Sequence, residues 1–357
     1  MDLTLLSSDS DSDLEMLAQL SDSSDEDETL RRTPKRIRRV NYTQSLDDGD
    51  FTFRFRLNKH AFNSLLLEIT PLLRVTSTRN YGVSPLHQLL LTLRFYALGT
   101  MLISVADFVG VSKSTAGRIV RDTSSAIAQL YDKYIYVHRR SADKFYRIAG
   151  FPRVLGAIDG THIRIQSPCH LIGEEYRNRK GYFSLNVQGV CDADLKFINV
   201  VARWPGSTHD ATIFNNSILR AECDAGQFGN RWLLGDSAYP NKPYLLTPVL
   251  NPVSEAEHRY NEAHIKTRNT IERAFGVWKR RFPVVALTLR LSIPNMQAVI
   301  IATTVLHNIC RNHNLTEIAS EVELPSIDNS TMPHNVVVND IPTNHRTDLI
   351  NNYFMTL

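Results

Sequence analysis

The chain has 357 residues, of which 43% are apolar, and it carries a formal net charge of +3. This length and apolar content suffice for one large core and a smaller satellite domain. Because no run of eighteen apolar residues occurs and the N-terminus MDLTLLSSDSDSD has no basic region, we expect neither a membrane-spanning helix nor a secretory signal. The four cysteines lie far apart without a Cys-x-x-Cys pair, which predicts reduced thiols and no zinc framework.

The charge is distributed unevenly along the chain. The first thirty residues contain ten acids and neither Lys nor Arg, and the remaining 40 basic and 27 acidic residues give the rest a net charge of +13. A body this basic indicates a polyanionic partner such as DNA. Ordinary solubility charge accounts for the composition equally well, so composition alone leaves both interpretations open.

Residues 1–50 are rich in Ser, Asp and Glu and poor in apolar side chains, which predicts a disordered arm. Within this arm, residues 31–39 hold six cations in nine positions. Such a cluster is typical of a nuclear import signal or a phosphate-binding arm, and a solvated charge run is the alternative interpretation. We therefore expect the protein in the nucleus and also in the cytoplasm, with import depending on Arg31, Arg32, Lys35, Arg36, Arg38 and Arg39.

Residues 51–148 have a helical hydrophobic period. Ser104 is predicted to cap a short helix over Val105–Val109, Gly110 to end it, and Ser112 to cap a longer helix. A short helix, a glycine turn and a longer helix with exposed polar residues are typical of a helix-turn-helix, although three-helix bundles that bind no DNA share the pattern. The DNA contacts predicted on the longer helix are Lys113, Ser114, Arg118 and Arg121.

From residue 149 the hydrophobic period changes from 3.6 to 2, and strands alternate with helices, which predicts an α/β layer fold. Strands are predicted over Arg153–Ile165, Gly181–Cys191, Phe197–Trp204 and Arg231–Asp236. Helices are predicted over Asp210–Leu219, Thr270–Arg281 and Pro294–Arg311. Residues 313–357 are predicted to form a loop-like tail that ends in a short amphipathic helix over Arg346–Phe354, docked on the core.

Two of the predicted strands deliver an aspartate after an apolar run. VLGAID places Asp159 behind one run, and WLLGD places Asp236 behind another. A charge in this position is expected at a strand end, because an unpaired charge buried in mid-strand is costly. Two such strands in one sheet would bring both carboxylates to the same edge.

A third acid, Glu272, lies on a predicted amphipathic helix. The apolar residues of that helix are spaced to form the face that packs on the sheet, and they are Ile271, Phe275, Trp278 and Phe282. Glu272 lies about 100° round the helix from Ile271, so it flanks the packed face and can reach the strand ends. Taken alone, a glutamate on a helix surface is usually only solvated.

The strings GAIDGTH, NRKGYFSLNVQ, WPGSTHDATIF, LLGDSAYP and TIERAFGVWKRRF occur in this order between residues 80 and 312. They resemble the PIF/Harbinger transposases and the nucleases derived from them. The resemblance implies an RNase H-like catalytic domain over residues 149–312, a mixed sheet flanked by helices, which the all-α helix-turn-helix-like domain over 51–148 precedes. It also implies that Asp159, Asp236 and Glu272 are the catalytic set, with 35 residues between the last two, the separation typical of this superfamily.

Oxygen-only ligands suit Mg²⁺ or Mn²⁺, and the resemblance implies two such ions that activate the attacking oxygen and stabilise the leaving one. Asp210 is expected to be an auxiliary metal ligand, because the family also has an acid there, although a helix N-cap role accounts for it as well. Ala238 departs from the family pattern, which commonly has Gly after Asp-Ser. The cations expected to contact phosphates near the acids are Arg177, Arg179, Lys180, Lys279, Arg280 and Arg281. The last three are expected on the outer side of the helix that carries Glu272.

The sequence thus predicts a metal-dependent DNA nuclease or transposase that cleaves phosphodiesters by a two-metal DDE mechanism. The resemblance adds a Myb/SANT-like partner protein that aids nuclear entry and DNA-end recognition. One alternative is a DNA-binding factor without cleavage activity, and another is an interaction protein that acts through the acidic arm. The DNA target, the survival of transposition and homodimerisation are left open.

Overall fold

The computed structural model describes residues 39–73, 82–137, 142–168, 173–315, 317–325 and 344–356. Residues 39–357 form one compact unit. The acidic arm over residues 1–30 and the import cations from Arg31 to Arg38 lie outside the described residues. No helix in the described ranges is both long enough and apolar enough to cross a membrane.

The described residues before 150 are helical. The helices are α1 (Tyr42–Ser45), α2 (Asp48–Phe55), α3 (Lys59–Ile69), α4 (Pro85–Leu98), α5 (Leu102–Val109), α6 (Lys113–Ala128), α7 (Tyr131–Tyr134) and α8 (Ala142–Ala149). Residues 39–50, which the sequence assigned to the arm, therefore already belong to the folded part. The Arg39 guanidinium donates to the carbonyl oxygens of Val109 at 3.2 Å and Gly82 at 3.3 Å, so this cation ties the start of the fold to the helices.

The short helix, turn and long helix predicted from the sequence are α5, the turn at Gly110 and α6. Gly110 has a φ of +67°, and the Ser112 hydroxyl accepts a hydrogen bond from the Thr115 amide at 3.2 Å, as expected of a helix N-cap. The predicted cap at Ser104 is wrong. The Ser104 amide already donates to the Met101 carbonyl at 3.1 Å, because α5 begins at Leu102.

Five strands form one mixed sheet in the order β3-β2-β1-β4-β5. They are β1 (Val154–Arg164), β2 (Ser184–Cys191), β3 (Phe197–Pro205), β4 (Trp232–Leu234) and β5 (Leu245–Leu246). β1 pairs antiparallel with β2, and β2 with β3, whereas β1 pairs parallel with β4, and β4 with β5. Sequence patterning missed β5, since two residues are too few to show an alternation.

Helices cover both faces of the sheet. They are α9 (Asp210–Asn215), α10 (Ile218–Asp224), α11 (Glu255–Arg281), α12 (Ile293–Asn312) and α13 (Asn344–Leu349), which a π-helical turn over Ile350–Phe354 continues. The helix predicted over Asp210–Leu219 is in fact two, because the Ser217 hydroxyl accepts from the Arg220 amide and starts a new helix.

Helix α11 is much longer than its predicted range Thr270–Arg281. It begins at Glu255, where Ser254 and Glu257 form a capping box that the sequence contains but the apolar periodicity does not reveal. The predicted packing stripe is confirmed, since Ile271, Phe275, Trp278 and Phe282 are all buried.

One hydrophobic cluster joins the N-terminal helices to the sheet layer. It contains Phe51 and Phe62 from α2 and α3 together with Trp278 of α11 and Ile300 of α12. No break in this core marks the boundary predicted at residue 148, so the two-domain division stays a prediction.

Buried arginines tie the segment around residue 320 to this core. Arg281 donates to the carbonyl oxygens of Arg56 at 2.9 Å and Leu315 at 3.3 Å, and Arg56 donates to that of Ala319 at 2.8 Å. The prediction that Arg281 lies on the outer side of its helix is wrong. It follows Trp278 by three residues and therefore shares the packed face.

We expect Arg281→Ala to lower the free energy of unfolding by about 2–4 kcal/mol, because two buried carbonyl oxygens lose a charged hydrogen-bond donor. The adjacent Arg280→Ala is the matched control. Its guanidinium is exposed and pairs with Glu317 at 3.3 Å, so its effect should stay within about 0.5 kcal/mol. Urea unfolding of both variants gives the comparison, and equal losses would contradict a structural role for Arg281.

Candidate active site

The parallel pairing of β1 with β4 brings Asp159 and Asp236 together. Ala157 of β1 pairs with Leu234 of β4. Asp159 lies two residues after Ala157, and Asp236 lies two residues after Leu234. The sequence predicts that Asp159 lies at the end of its strand, and this prediction is wrong. β1 continues to Arg164 in its pairing with β2. It is β4 that ends here, which opens the sheet edge beside the Asp159 carboxylate.

Arg268 of α11 connects Asp159 to Glu272. Its Nη2 donates to Asp159 Oδ2 at 2.6 Å, and its Nη1 donates to Glu272 Oε1 at 2.6 Å. The side chains of Arg268, Asp159 and Glu272 are 10%, 14% and 34% exposed, so both ion pairs are shielded from water. Glu272 therefore leans from the flank of α11 toward the edge that carries the aspartates.

The site has an excess of negative charge. Burial raises the pKa of Asp159 to about 8; the Arg268 charge opposes this shift, and the carboxylates of Asp236 and Asp210 add to it. Burial lowers the pKa of the Arg268 guanidinium, but the charges of Asp159, Asp236 and Glu272 outweigh burial and raise it. The charges of Asp236 and Asp210 thus disfavour the ionised form of Asp159.

Asp210 approaches the site from the other face of the sheet. It is the first residue of α9, after the N-cap His209, so the N-cap role considered from the sequence is wrong. Its Oδ1 accepts from Asn186 Nδ2 of β2 at 2.8 Å. A Cβ at Gly160 would lie 2.2 Å from that same oxygen, so only glycine lets the Asp210 carboxylate rest against β1 beside Asp159.

Several buried polar atoms near the acids have no hydrogen-bond partner among the described residues. They include Tyr239 Oη, Asn186 Oδ1, Arg268 Nε and both amide atoms of Gln188. Tyr239 is buried, and the charges of Asp210, Asp159 and Asp236 add to the effect of its burial in raising its pKa. Unpaired polar atoms at this density indicate room for water or an ion in the folded protein.

Lys279 lies about two helical turns after Glu272 on α11. Its Nζ donates to Thr161 Oγ1 at 2.7 Å and to the His162 carbonyl oxygen at 3.2 Å, so it points at β1 and not outward as predicted. Burial lowers the pKa of Lys279 to about 8. Burial, followed by the charge of Lys279, lowers the pKa of His162 to about 4, and the His162 ring is hydrogen-bonded to Ser184.

The remaining predicted phosphate contacts are distributed over the surface. Arg177, Arg179 and Lys180 are exposed beside β2, where Arg177 pairs with Glu174 at 2.8 Å and Arg179 contacts the His209 ring. Arg280 is exposed as well. Arg281 is buried, so the prediction that it contacts DNA is wrong. On α6, all four predicted contacts, Lys113, Ser114, Arg118 and Arg121, are exposed.

Sequence reasoning missed Arg268, Asn186 and Gly160. A signal for Arg268 exists in its position four residues before Glu272, which places both on one helix face. A signal for Asn186 exists in NRKGYFSLNVQG, where Ser184, Asn186 and Gln188 alternate with apolar residues, and the structure buries that polar row completely.

The chain is similar to several known proteins. Residues 158–308 match the family model of the DDE superfamily endonucleases. The Bos taurus protein named "Putative nuclease HARBI1" is 34% identical over 256 residues, which are 69% of this chain and 73% of the relative. The Homo sapiens protein of that name is 34% identical over 246 residues, 66% of this chain and 70% of the relative. "Protein ALP1-like" of Arabidopsis thaliana is 25% identical over 297 residues, 75% and 72% of the two chains.

The chain belongs to the DDE superfamily of endonucleases, together with the proteins named "Putative nuclease HARBI1". The matched range contains Asp159, Asp210, Asp236 and Glu272. No solved structure matches the chain significantly.

Divalent metal ions are general cofactors in the DDE superfamily, and the donor set here fits them, since it consists of carboxylate oxygens with unpaired polar atoms beside them. Within the described part of the chain, no three carboxylate, histidine or cysteine side chains come close enough to hold an ion as they stand. The Arg268 guanidinium lies between two of the acids instead.

Proposed function

We propose that this protein is a metal-dependent nuclease that cleaves DNA phosphodiester bonds by a two-metal DDE mechanism, as a transposase or a derivative of one. The observation that carries the proposal is the approach of Asp159 and Asp236 on adjacent parallel strands, with Glu272 joined to Asp159 through Arg268. The strand order and the mixed pairing support an RNase H-like catalytic domain.

In this proposal Asp159, Asp236 and Glu272 hold Mg²⁺ or Mn²⁺, and Asp210 contributes from the opposite face of the sheet. Bound divalent ions would supply charge stabilisation to a scissile phosphate and acidify an attacking water. The chain's own part is to fix the carboxylates: β1 and β4 fix the aspartates through their register, and Asn186 fixes Asp210 through a hydrogen bond. Lys279, held at Thr161, offers a cation to a phosphate beside β1.

We expect Asp159→Asn, Asp236→Asn and Glu272→Gln each to reduce metal-dependent nicking of plasmid DNA to background, because ligands that act as one unit are not individually dispensable. The measurement is nicking with Mg²⁺ and with Mn²⁺ by the purified full chain. Glu262→Gln is the matched control, since this exposed glutamate lies on the same helix and pairs with the exposed Lys266.

The thermal midpoint of each variant must accompany the nicking rate. Asp159→Asn leaves Arg268 with Glu272 as its ion-pair partner, so the fold should persist. Wild-type nicking by a folded variant would remove that residue from the catalytic set.

We propose that the helical region contacts DNA through α6, as a helix-turn-helix-like domain does. The support is the exposed row on α6 and the packing of the opposite face of this helix on α4 and α12. Among the described residues, Arg118 donates to Thr115 alone, at 3.3 Å, whereas Arg121 already pairs with Asp122 at 2.9 Å. Arg118 is therefore the cation more available to DNA.

Arg118→Ala should weaken DNA binding by about 1–3 kcal/mol if the arginine contacts a base, and more evenly across sequences if it contacts phosphate. Arg121→Ala should have a smaller effect. A salt-titrated affinity series measures both, with Arg220→Ala of α10 as the control for general charge. Unchanged affinity and salt slope for Arg118→Ala would mean that α6 faces a protein instead.

We further propose that the protein works in the nucleus with a Myb/SANT-like partner, which the family resemblance implies. Arg36→Ala with Arg38→Ala, in cells that lack such a partner, should reduce nuclear accumulation and leave cleavage by the purified protein unchanged. Arg39 is left intact in this test because it holds the fold through Val109 and Gly82. Unchanged localisation of the double variant would sink the import proposal.

A second candidate is a DNA-binding factor that no longer cleaves. The observation that favours it is the pair of ion contacts through which Arg268 occupies Asp159 and Glu272. In addition, the Arabidopsis thaliana relative named "Antagonist of like heterochromatin protein 1", 28% identical over 297 residues, bears a name that refers to chromatin. This candidate predicts DNA binding without nicking in any divalent metal.

A further inference from the structure

Arg268 lies between two acids of the candidate active site. It joins the strand that carries Asp159 to the helix that carries Glu272, through two contacts of 2.6 Å each. In each contact a carboxylate oxygen accepts a hydrogen bond from the Arg268 guanidinium, and the Arg268 side chain is only 10% exposed. A divalent ion bound by the same two carboxylates would compete with this arginine for their oxygens.

The arginine also depends on the acids. Its Nε is buried without a hydrogen-bond partner among the described residues, and the hydrogen bonds of its two terminal nitrogens go to Asp159 and Glu272. A buried guanidinium that loses its carboxylates is strongly unfavourable and must move toward water or toward another anion. The long arginine stem makes such a movement feasible without a change in the helix.

We propose that Arg268 is a built-in counter-ion which closes the acid site in the metal-free protein and which a divalent metal ion must displace. This inference rests on the proposed function, because it concerns the regulation of the same site. Binding of the metal ion to Asp159 and Glu272 and release of Arg268 from them then occur together. In the metal-free protein Arg268 offsets part of the negative charge of the acids and holds α11 against β1, and the site opens only when a divalent cation displaces it.

Competition with the metal and positioning of the acids are two different roles for Arg268, and they predict different effects of its removal on metal binding. If Arg268 positions them, its removal weakens metal binding, because the carboxylates lose their alignment. If Arg268 competes with the metal, its removal strengthens metal binding and destabilises the metal-free protein, in which the carboxylates then repel one another. The two roles thus move the same affinity in opposite directions.

The test is Mn²⁺ affinity of the purified full chain, measured by electron paramagnetic resonance without DNA, for wild type and Arg268→Gln. We expect Arg268→Gln to bind Mn²⁺ more tightly by about tenfold or more. Arg273→Gln is the matched control, since it removes an equal charge from an exposed position of the same helix and should leave the affinity nearly unchanged. Thermal midpoints should show a larger gain from Mn²⁺ in Arg268→Gln than in wild type.

Arg268→Lys guards against a variant that fails to fold. A lysine keeps the charge but lacks the planar fork that bridges two carboxylates, so its Mn²⁺ affinity should also exceed that of wild type. Equal or weaker binding by the folded Arg268 variants, or no Mn²⁺ binding by any form, would overturn the proposal. Tight Mn²⁺ binding without DNA nicking would instead overturn only the nuclease function.

Discussion

Repulsion between partly buried carboxylates at one edge of the sheet is the constraint on which the site depends. Asp159, Asp210 and Asp236 lie close enough for their charges to act on one another, in a place where water screens them little. Arg268 offsets part of that charge by bridging Asp159 to Glu272. Ionic contact therefore adds to apolar packing in holding α11 on β1, and the charge state of the site is tied to the position of that helix.

The alternation of β1 decides which group meets which helix. Asp159 and Thr161 face α11, where they meet Arg268 and Lys279, whereas Gly160 faces α9. Because Gly160 has no side chain, the carboxylate of Asp210 can rest against the strand from the second face. β1 thus meets acids from both faces of the sheet, Asp210 from α9 on one face and Glu272, through Arg268, from α11 on the other.

Sequence patterns predicted elements where local signals were strong. Ser112 and the glycine turn before it fixed the start of α6, and alternation gave β1 and β3 to within about one residue. The first half of α11 was missed because residues 255–268 are mostly polar, so apolar periodicity has nothing to show there. The resemblance to a known family, and not the physics of single residues, made Glu272 more than a solvated glutamate.

The sequence by itself determined that Asp159 and Asp236 each follow an apolar strand segment, since that pattern has a local cause. The tertiary structure alone decided what the long cations do. Arg268 bridges two acids, Arg281 is buried among carbonyl oxygens, and Arg39 holds helices together. A flexible cation takes its role from whichever oxygen lies opposite, and that depends on strand register and helix rotation, which emerge only when distant segments pack.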